Sequence, residues 1–579
     1  MTAARVLRRT GASLLCLAAL GPAPGPTPIA AGTDAPAVRL DTARIDTAFA
    51  EYARPGSPGC AVGVVEAGSI VFARGYGLAS LEHEVPITPR TMFDLGSTSK
   101  QITSAAVALL ALDGRLSLDD DIRKYLPEIP AVPRFPAITV RRLLDHTSGL
   151  RDYTDLLSME GHGDADLTTT PQGLAILARQ HGRNFPAGDE FRYTNSGHFL
   201  ASILVERVSG KSLRAFARER IFGPLGMTDS TYFDDHTLVV PRRATGYAPR
   251  AGGGFEVAMS DWEQVGDGGV QSSVEEMARW AANLDTGAAP LGGKALVDLL
   301  HTPGKLADGT PIPYGLGLFL GTHRGLRLVE HGGAWAGWRA NLVRVPERRI
   351  AVITLCNIST AATRTLSLAA LDAALDALPA SERPAGAAPA VTAAAGARPD
   401  ASFAGRYVSE HLGDVEAVEA SPEGLSLEGD LLRPLGPGKY GADAGRTTVT
   451  FSPEGTMTVD DPRENPRAAV FKRLPSAPAK AAKPDRDLPG GYRSDDLDSG
   501  CLVSFGNERL EFSCGGGEKT EMAPLGGDLY NLGWGLVRVK RDARGAVESL
   551  LLTTRGLVEF RLGRAGGAAG RAVYNSAHG

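Results

Sequence analysis

Ser97 and Lys100 stand three residues apart in Gly96-Ser97-Thr98-Ser99-Lys100, directly before an Ala/Leu-rich run from Gln101 to Leu112. If that run is helical, Ser97 lies at its N-terminus with Lys100 one turn on, on the same face. A hydroxyl is a poor nucleophile until a base takes its proton. A lysine can be that base where burial or a positive field, such as a helix N-terminus, lowers its pKa. Among eleven lysines only Lys100 has a serine three positions before it. The same pair also reads as a helix cap and a solvated lysine. About a hundred residues on, Arg192-Tyr193-Thr194-Asn195-Ser196-Gly197 holds the one Tyr-x-Asn among thirteen tyrosines. A phenol beside a lysine cation can be held as phenolate or share its proton, which suits a general base. The bland alternative is a tyrosine on a buried turn, with Asn195 in a local Asx bond. The chain has no Gly-x-Ser-x-Gly elbow, so an α/β-hydrolase site lacks its nucleophile. It has no zinc-type His/Cys spacing either, so neither metal nor cofactor is expected.

The elements that must hold these residues are strands at both ends of a large first region. Cys60 to Val65 pairs with Ile70 to Ala73 across a glycine turn, and Arg339 to Val345 pairs with Ile350 to Leu355. Strands at the ends with helices between predict an α+β domain: an antiparallel sheet closed by the chain ends and flanked by an inserted set of helices. That domain spans 38–378. An Ala/Pro linker covers 379–400, a β-barrel domain 401–475, a second linker 476–486 and a second barrel 487–565. The two small segments open alike, with FAGRYVS at Phe403 and LPGGYRS at Leu488, and close alike, with VFKRL and VEFRL. Short alternating stretches between these marks predict two lipocalin-like antiparallel barrels, the second a repeat of the first. Cys501 and Cys514 flank a hairpin whose alternation pairs Phe505 with Leu510 and Val503 with Phe512, which sets the cysteines opposite each other as a disulfide candidate. Cys60 and Cys356 read as buried thiols.

The stretch FDLGSTSKQITSAAVALLALDGRLSLDDDIRKYLP, with ITVRRLLDHTSGL and FRYTNSG after it, resembles the serine β-lactamase-like superfamily over roughly residues 40–375. That group includes class C β-lactamases, penicillin-binding DD-peptidases, D-aminopeptidases and related esterases. The resemblance implies that Ser97 is acylated, that Lys100 and Tyr193 move its proton, and that Asn195 bonds the lysine and the substrate amide. The family's third motif is Lys- or His-x-Gly on a strand, and three His-x-Gly stretches occur, at His323, His331 and His411. His331-Gly332-Gly333 is the choice, because the strand pair from Arg339 follows it immediately. Its glycines would let substrate backbone approach. The resemblance implies an oxyanion hole from the N–H groups of Ser97 and Ala334. β-Lactamases and DD-carboxypeptidases usually carry Lys where this chain has His331, which is mostly neutral at pH 7. A free substrate carboxylate at that place is thereby disfavoured. The layout of one catalytic domain and two barrels is most similar to D-aminopeptidases, in which a loop of the last barrel reaches the site. Asp495, Asp496 and Asp498 read first as a solvated acidic turn and second as an anion for a substrate ammonium.

Composition sets the surroundings of this chemistry. The chain has 579 residues, 43% hydrophobic and 22% charged, with a formal net charge of −5. No basic stripe suits a nucleic-acid backbone, so nucleic acid is not an expected partner. Arg5, Arg8 and Arg9, an apolar run from Ala12 to Leu20 and a small-residue exit make 1–32 a signal peptide, with Cys16 a poor lipid-anchor site. The apolar run is too short to span a bilayer, and no later segment is long enough. The expectation is a periplasmic or secreted serine hydrolase acting on a small-molecule or peptide substrate, by preference a D-residue amide or ester. The alternatives are a β-lactamase or DD-carboxypeptidase, and a non-catalytic wall-binding protein. Oligomeric state is left open.

Overall fold

A strand covered on both faces reads as an unbroken apolar run, and the first six residues of the strand Cys60–Glu66 are one. The computed structural model describes residues 40–133, 135–285, 290–384, 400–442, 447–461, 466–475, 485–506 and 508–565. Six antiparallel strands run in the spatial order Phe319–His323, Leu326–Trp335, Trp338–Val345, Ile350–Cys356, Cys60–Glu66, Ser69–Tyr76. Val62 and Val64 pack with the helices Thr42–Ala48 and Thr363–Ala377, while Ala61 and Val65 join a core with helix Val274–Asp285 on the other face. The first and last strands are neighbours and the helices are inserted between them, so the fold is α+β. No helix among the described residues is long and apolar enough to cross a membrane. The 1–32 segment read as a signal peptide, with Cys16, lies outside the described residues, as do 385–399 and 476–484 of the linkers.

Cys60 and Cys356 are not the free thiols read above. They stand opposite each other in the central strand pair and form a disulfide. No spacing marks them, because only the sheet register brings together residues separated by 296 positions. A second disulfide joins Cys501 and Cys514 across the hairpin Gly500–Gly506/Arg509–Cys514, in which Phe505 pairs with Leu510 and Val503 with Phe512.

Two antiparallel barrels follow. Eight strands from Gly405–Ser409 to Ala469–Arg473 close completely, and nine from Gly490–Arg493 to Phe560–Arg564 form a nearly closed second barrel. Their openings are built alike. The Tyr407 hydroxyl donates to Phe403 O at 2.8 Å, and the Tyr492 hydroxyl donates to Leu488 O at 2.7 Å. Tyr407 pairs with Arg473 and Tyr492 with Arg564 where each barrel closes. Both carry a register shift at matching Pro-Leu-Gly sites, Pro434 to Gly436 and Pro524 to Gly526.

A disulfide stabilises chiefly by restricting the unfolded chain, and more so for a longer loop. Replacing Cys60 and Cys356 by Ala should therefore cost on the order of 5 kcal/mol, against about 3 kcal/mol for Cys501 and Cys514. Calorimetry of the two double variants reads this; an equal or larger shift for the hairpin pair would contradict it.

Candidate active site

Ser97 lies in a 3-10 turn, Gly96–Ser99, that runs straight into the helix Lys100–Leu112. The turn is fixed by Asp94, whose Oδ1 accepts the Gly96 N–H at 2.7 Å, and Gly96 itself has φ +48°, a conformation suited to glycine. Eleven of the helix's thirteen residues are buried, Lys100 among them. Its polar members are satisfied from outside: Gln101 Oε1 accepts from Trp280 at 2.6 Å, and Thr103 Oγ1 donates to Gly266 O at 2.6 Å.

All three Lys100 Nζ protons have acceptors: Ser97 Oγ at 2.9 Å, Asn195 Oδ1 at 2.8 Å and the backbone carbonyl of Asp267 at 2.7 Å. Complete burial lowers the Lys100 pKa to about 8, with the charges of Asp267 and Asp152 pulling the other way. Its Nζ stands 4.9 Å above the centre of the Tyr193 ring. Tyr193 is moved upward from the ordinary tyrosine value, first by burial, with contact to Ser97 lowering it and Asp267 and Asp152 raising it. The phenol is thus held protonated, which disfavours the phenolate alternative and leaves that of a shared proton. Lysine, drawn down, is the group able to accept a proton.

Asn195 precedes the helix Ser196–Ser209, and its own N–H donates to Asp152 Oδ2 at 2.6 Å. The same carboxylate oxygen accepts from Thr194 Oγ1 at 3.0 Å. His146 completes the support. Its Nδ1 accepts the Thr194 N–H at 3.2 Å, its ring centre lies 4.2 Å from that of Tyr193, and its backbone is left-handed at φ +60°.

His331, Gly332, Gly333 and Ala334 lie on the strand Leu326–Trp335, beside the serine turn: Thr98 Oγ1 donates to His331 O at 3.1 Å. The glycine rationale needs correction. A Cβ on Gly333 would collide with the Leu95 carbonyl, so that glycine serves contact between strand and turn, whereas Gly332 has room. A Cβ on Gly96 would stand 2.8 Å from Ala334 N, so the Ala334 amide lies against the serine turn. Burial, and then the Lys100 charge, lowers the His331 pKa to about 3, and its Nε2 lies 2.8 Å from the Tyr314 hydroxyl. His331 is a neutral hydrogen-bonding group. His323 and His411 are engaged elsewhere, with Asp372 at 2.7 Å and Glu190 at 2.9 Å. A cavity of about 150 Å³ opens beside Ser97 and Asn195 and reaches the tryptophans Trp262, Trp335 and Trp338.

The acidic turn of the second barrel lies away from the site; Asp495 and Asp498 are exposed, as a solvated turn requires, whereas Asp496 is buried. Asp496 binds Arg151 at 2.5 Å and His181 Nδ1 at 2.6 Å, and Asp498 binds Arg179 at 2.6 Å, so these acids dock the barrel; Asp495 is exposed. A second loop of that barrel goes deeper. Gly556 O accepts the Asp152 N–H at 3.0 Å and Asn184 Nδ2 at 2.9 Å, and Thr554 Oγ1 donates to Asp155 at 2.6 Å. The residue that fixes Thr194 and Asn195 is therefore itself fixed by the barrel.

Asp152, His146, Asp267 and the Gly556 loop were not identified from sequence. His146 stands in the LDHTSGL stretch, which carried the resemblance without a role for it. Asp267 holds Lys100 through its backbone carbonyl, for which no side-chain motif exists.

A family model described as Beta-lactamase matches residues 45–377. With the six-stranded sheet and its serine–lysine turn in place, that match makes the chain a member of the beta-lactamase family, a serine hydrolase. A D-aminopeptidase of Brucella melitensis biotype 2 is 30% identical over 481 residues, covering 81% of this chain and 85% of its own. Another D-aminopeptidase, from Gluconobacter oxydans, is 29% identical over 470 residues, covering 79% of this chain and 83% of its own. The octameric penicillin-binding protein homologue from Pyrococcus abyssi shares the fold, with a TM-score of 0.55 and 22% identity over 75% of this chain and 100% of that one.

A Cβ at position 556 would stand 2.5 Å from Asp152 Cβ, whereas one at Gly436 would meet nothing. Gly556→Ala should lower kcat for an activated ester at least tenfold, with Gly436→Ala unchanged. Steady-state kinetics alongside the thermal midpoint would tell this apart from simple unfolding. Equal kcat for the two variants would dissociate the barrel loop from the Asp152 contact.

Proposed function

We propose that this chain is an exported serine hydrolase that forms an acyl-enzyme on Ser97 and cleaves amides or short peptides bearing a D-residue, in the manner of a D-aminopeptidase. The observation that carries the reading is the 2.9 Å contact between Ser97 Oγ and a fully buried Lys100 whose pKa is lowered to about 8. A pKa of 8 leaves about a tenth of the lysine neutral at pH 7, enough to serve as a base.

Ser97 Oγ attacks the scissile carbonyl carbon while its proton passes to neutral Lys100. The developing oxyanion lies within reach of the N–H groups of Ser97 and Ala334, the first at a helix N-terminus where amides have no intrahelical acceptor. Collapse of the intermediate breaks the bond to the amine, which takes up a proton from the Tyr193 hydroxyl; Lys100 reprotonates Tyr193. Water then releases the acyl group by the reverse of these transfers. Asn195 keeps Lys100 directed at Ser97.

Substrate class is supported by the relatives named D-aminopeptidase, whose matches extend over more than four-fifths of their own length. The neutral His331 agrees with it, since a permanent cation suited to a substrate carboxylate is missing there. Export is supported by the 1–32 pattern and by two disulfides, which persist in oxidising compartments. The β-lactamase or DD-carboxypeptidase reading is separated by comparing rates on a D-amino-acid anilide and a chromogenic cephalosporin. A non-catalytic binder would have no use for a serine, lysine and tyrosine so arranged.

Ser97→Ala should reduce turnover at least 10³-fold, and a fluorophosphonate should add its phosphonyl group at Ser97 in the wild type alone. Labelling at another residue would move the chemistry elsewhere. For the wild type, kcat/KM should rise as pH passes upward through about 8, because deprotonation of Lys100 makes the base. Lys100→Arg, permanently protonated, should lose at least 10²-fold and that limb of the profile. A pH limb unchanged in Lys100→Arg would assign the titration to another group.

A further inference from the structure

One charged group in the cavity beside Ser97 has no part in the chemistry above. Arg243 lines that cavity together with Phe233 and Trp338. Its guanidinium carbon lies 4.0 Å from the centre of the Phe233 ring and 5.1 Å from that of Trp338, so aromatic faces hold it in place. Arg243 Nε is buried without a hydrogen-bond partner. The indole N–H of Trp338, a residue only 1% exposed, likewise has no acceptor. The unfilled groups at this end of the cavity are donors.

The nearby carboxylates do not fill them. Asp94 Oδ1 accepts from Gly96 N at 2.7 Å and its Oδ2 from Gln271 Nε2 at 2.6 Å. Asp94 and, less strongly, the exposed Asp261 act on Arg243 through charge, without a hydrogen bond to it. Asp267, on the Ser97 side of the cavity, accepts from the Tyr153 hydroxyl at 3.2 and 3.1 Å. A half-buried cation whose Nε lacks an acceptor is unfavourable, and a planar guanidinium matches two oxygens of a carboxylate.

We propose that Arg243, with the Trp338 indole N–H, forms an anion subsite that receives a carboxylate carried by the acyl portion of the substrate. The D-residue favoured at this site is therefore an acidic one, its side-chain carboxylate reaching past Trp335 toward Arg243. This rests on the hydrolase reading for Ser97, and on the D-residue reading only for the identity of the natural acyl group.

Arylboronic acids test the subsite without a leaving group. The Ser97 oxygen adds to boron, the serine proton passes to Lys100, and a tetrahedral boronate results whatever amide the enzyme normally cleaves. Inhibition constants for 3-carboxyphenylboronic, 3-carbamoylphenylboronic and phenylboronic acid are measured on the wild type and on Arg243→Met, which keeps an unbranched apolar stem between the two rings. The wild type should bind the carboxylate at least tenfold more tightly than the isosteric amide, and Arg243→Met should bring the two within about twofold. Binding of phenylboronic acid to the variant reports that its site is intact. Should it fail to bind, the wild-type ratio measured at 0.05 M and 0.5 M salt decides, since an ionic subsite must lose preference as salt rises. A wild-type ratio near one, a ratio that survives in Arg243→Met, or one insensitive to salt overturns the anion subsite. In parallel, D-glutamic acid α-(4-nitroanilide) and its D-glutamine counterpart are offered as substrates. If neither is hydrolysed while the boronate preference holds, the D-residue reading falls and the subsite stands. If both are hydrolysed equally and the boronate ratio is near one, the subsite falls and the D-residue reading stands.

Discussion

Lys100 is a cationic side chain buried completely, and everything around it follows from how that burial is made tolerable. No carboxylate oxygen bonds its Nζ; a hydroxyl, a side-chain amide and a backbone carbonyl do. Neutral acceptors compensate a charge less well than an anion would, so the amine form is favoured and the pKa falls. Each acceptor comes from a different part of the chain: the 3-10 turn, the N-terminus of helix Ser196–Ser209 and the Asp267–Gly269 loop. The core's main task is to hold these three segments in register. A salt bridge to the lysine would have been more stabilising locally and would have removed its capacity to act as a base.

How much of this was legible in the sequence depends on how locally each relation is encoded. Ser97 and Lys100 are one helical turn apart, so their proximity follows from a single helix, and Tyr193 and Asn195 come with a short motif. The α+β domain and the barrels were readable from where apolar runs alternate and where they do not. Long-range register is a different matter. Cys60 faces Cys356 only because the first and last strands are neighbours, and nothing in either cysteine's surroundings announces the other. The barrel's acids illustrate the same limit: in the Asp495-Asp496-Leu497-Asp498 turn nothing local tells Asp496, buried against Arg151 and His181, from its exposed neighbours Asp495 and Asp498.

The two barrels repeat one plan down to the tyrosine that bonds the carbonyl four residues before it, yet they have taken different places. The first touches the hydrolase domain at its rim, where the His411 ring meets Glu190 and the His411 carbonyl accepts from Arg192. The second inserts backbone: Gly556 O meets Asp152 N, and Gly515 packs so close to Gly161 that neither has room for a side chain. Backbone contacts of this kind tolerate little change in sequence at the touching positions, whereas a rim ion pair can be replaced by another.

The placement of the first strand between its own hairpin partner and the last strand of the domain also governs the order of events during synthesis. Cys60–Glu66 is made early but has only Ser69–Tyr76 to pair with until Ile350–Cys356 has been made, nearly 300 residues later. Through that interval one edge of a largely apolar strand lacks its neighbour, the condition under which chains associate wrongly with one another. The turn bearing Ser97 and the helix that Lys100 begins are synthesised in the same interval, before the strand Leu326–Trp335 against which that turn packs. The nucleophile and its base are therefore among the earlier parts to be made and among the last to be assembled, so no truncated chain ending before this sheet is complete can present an activated serine to its surroundings.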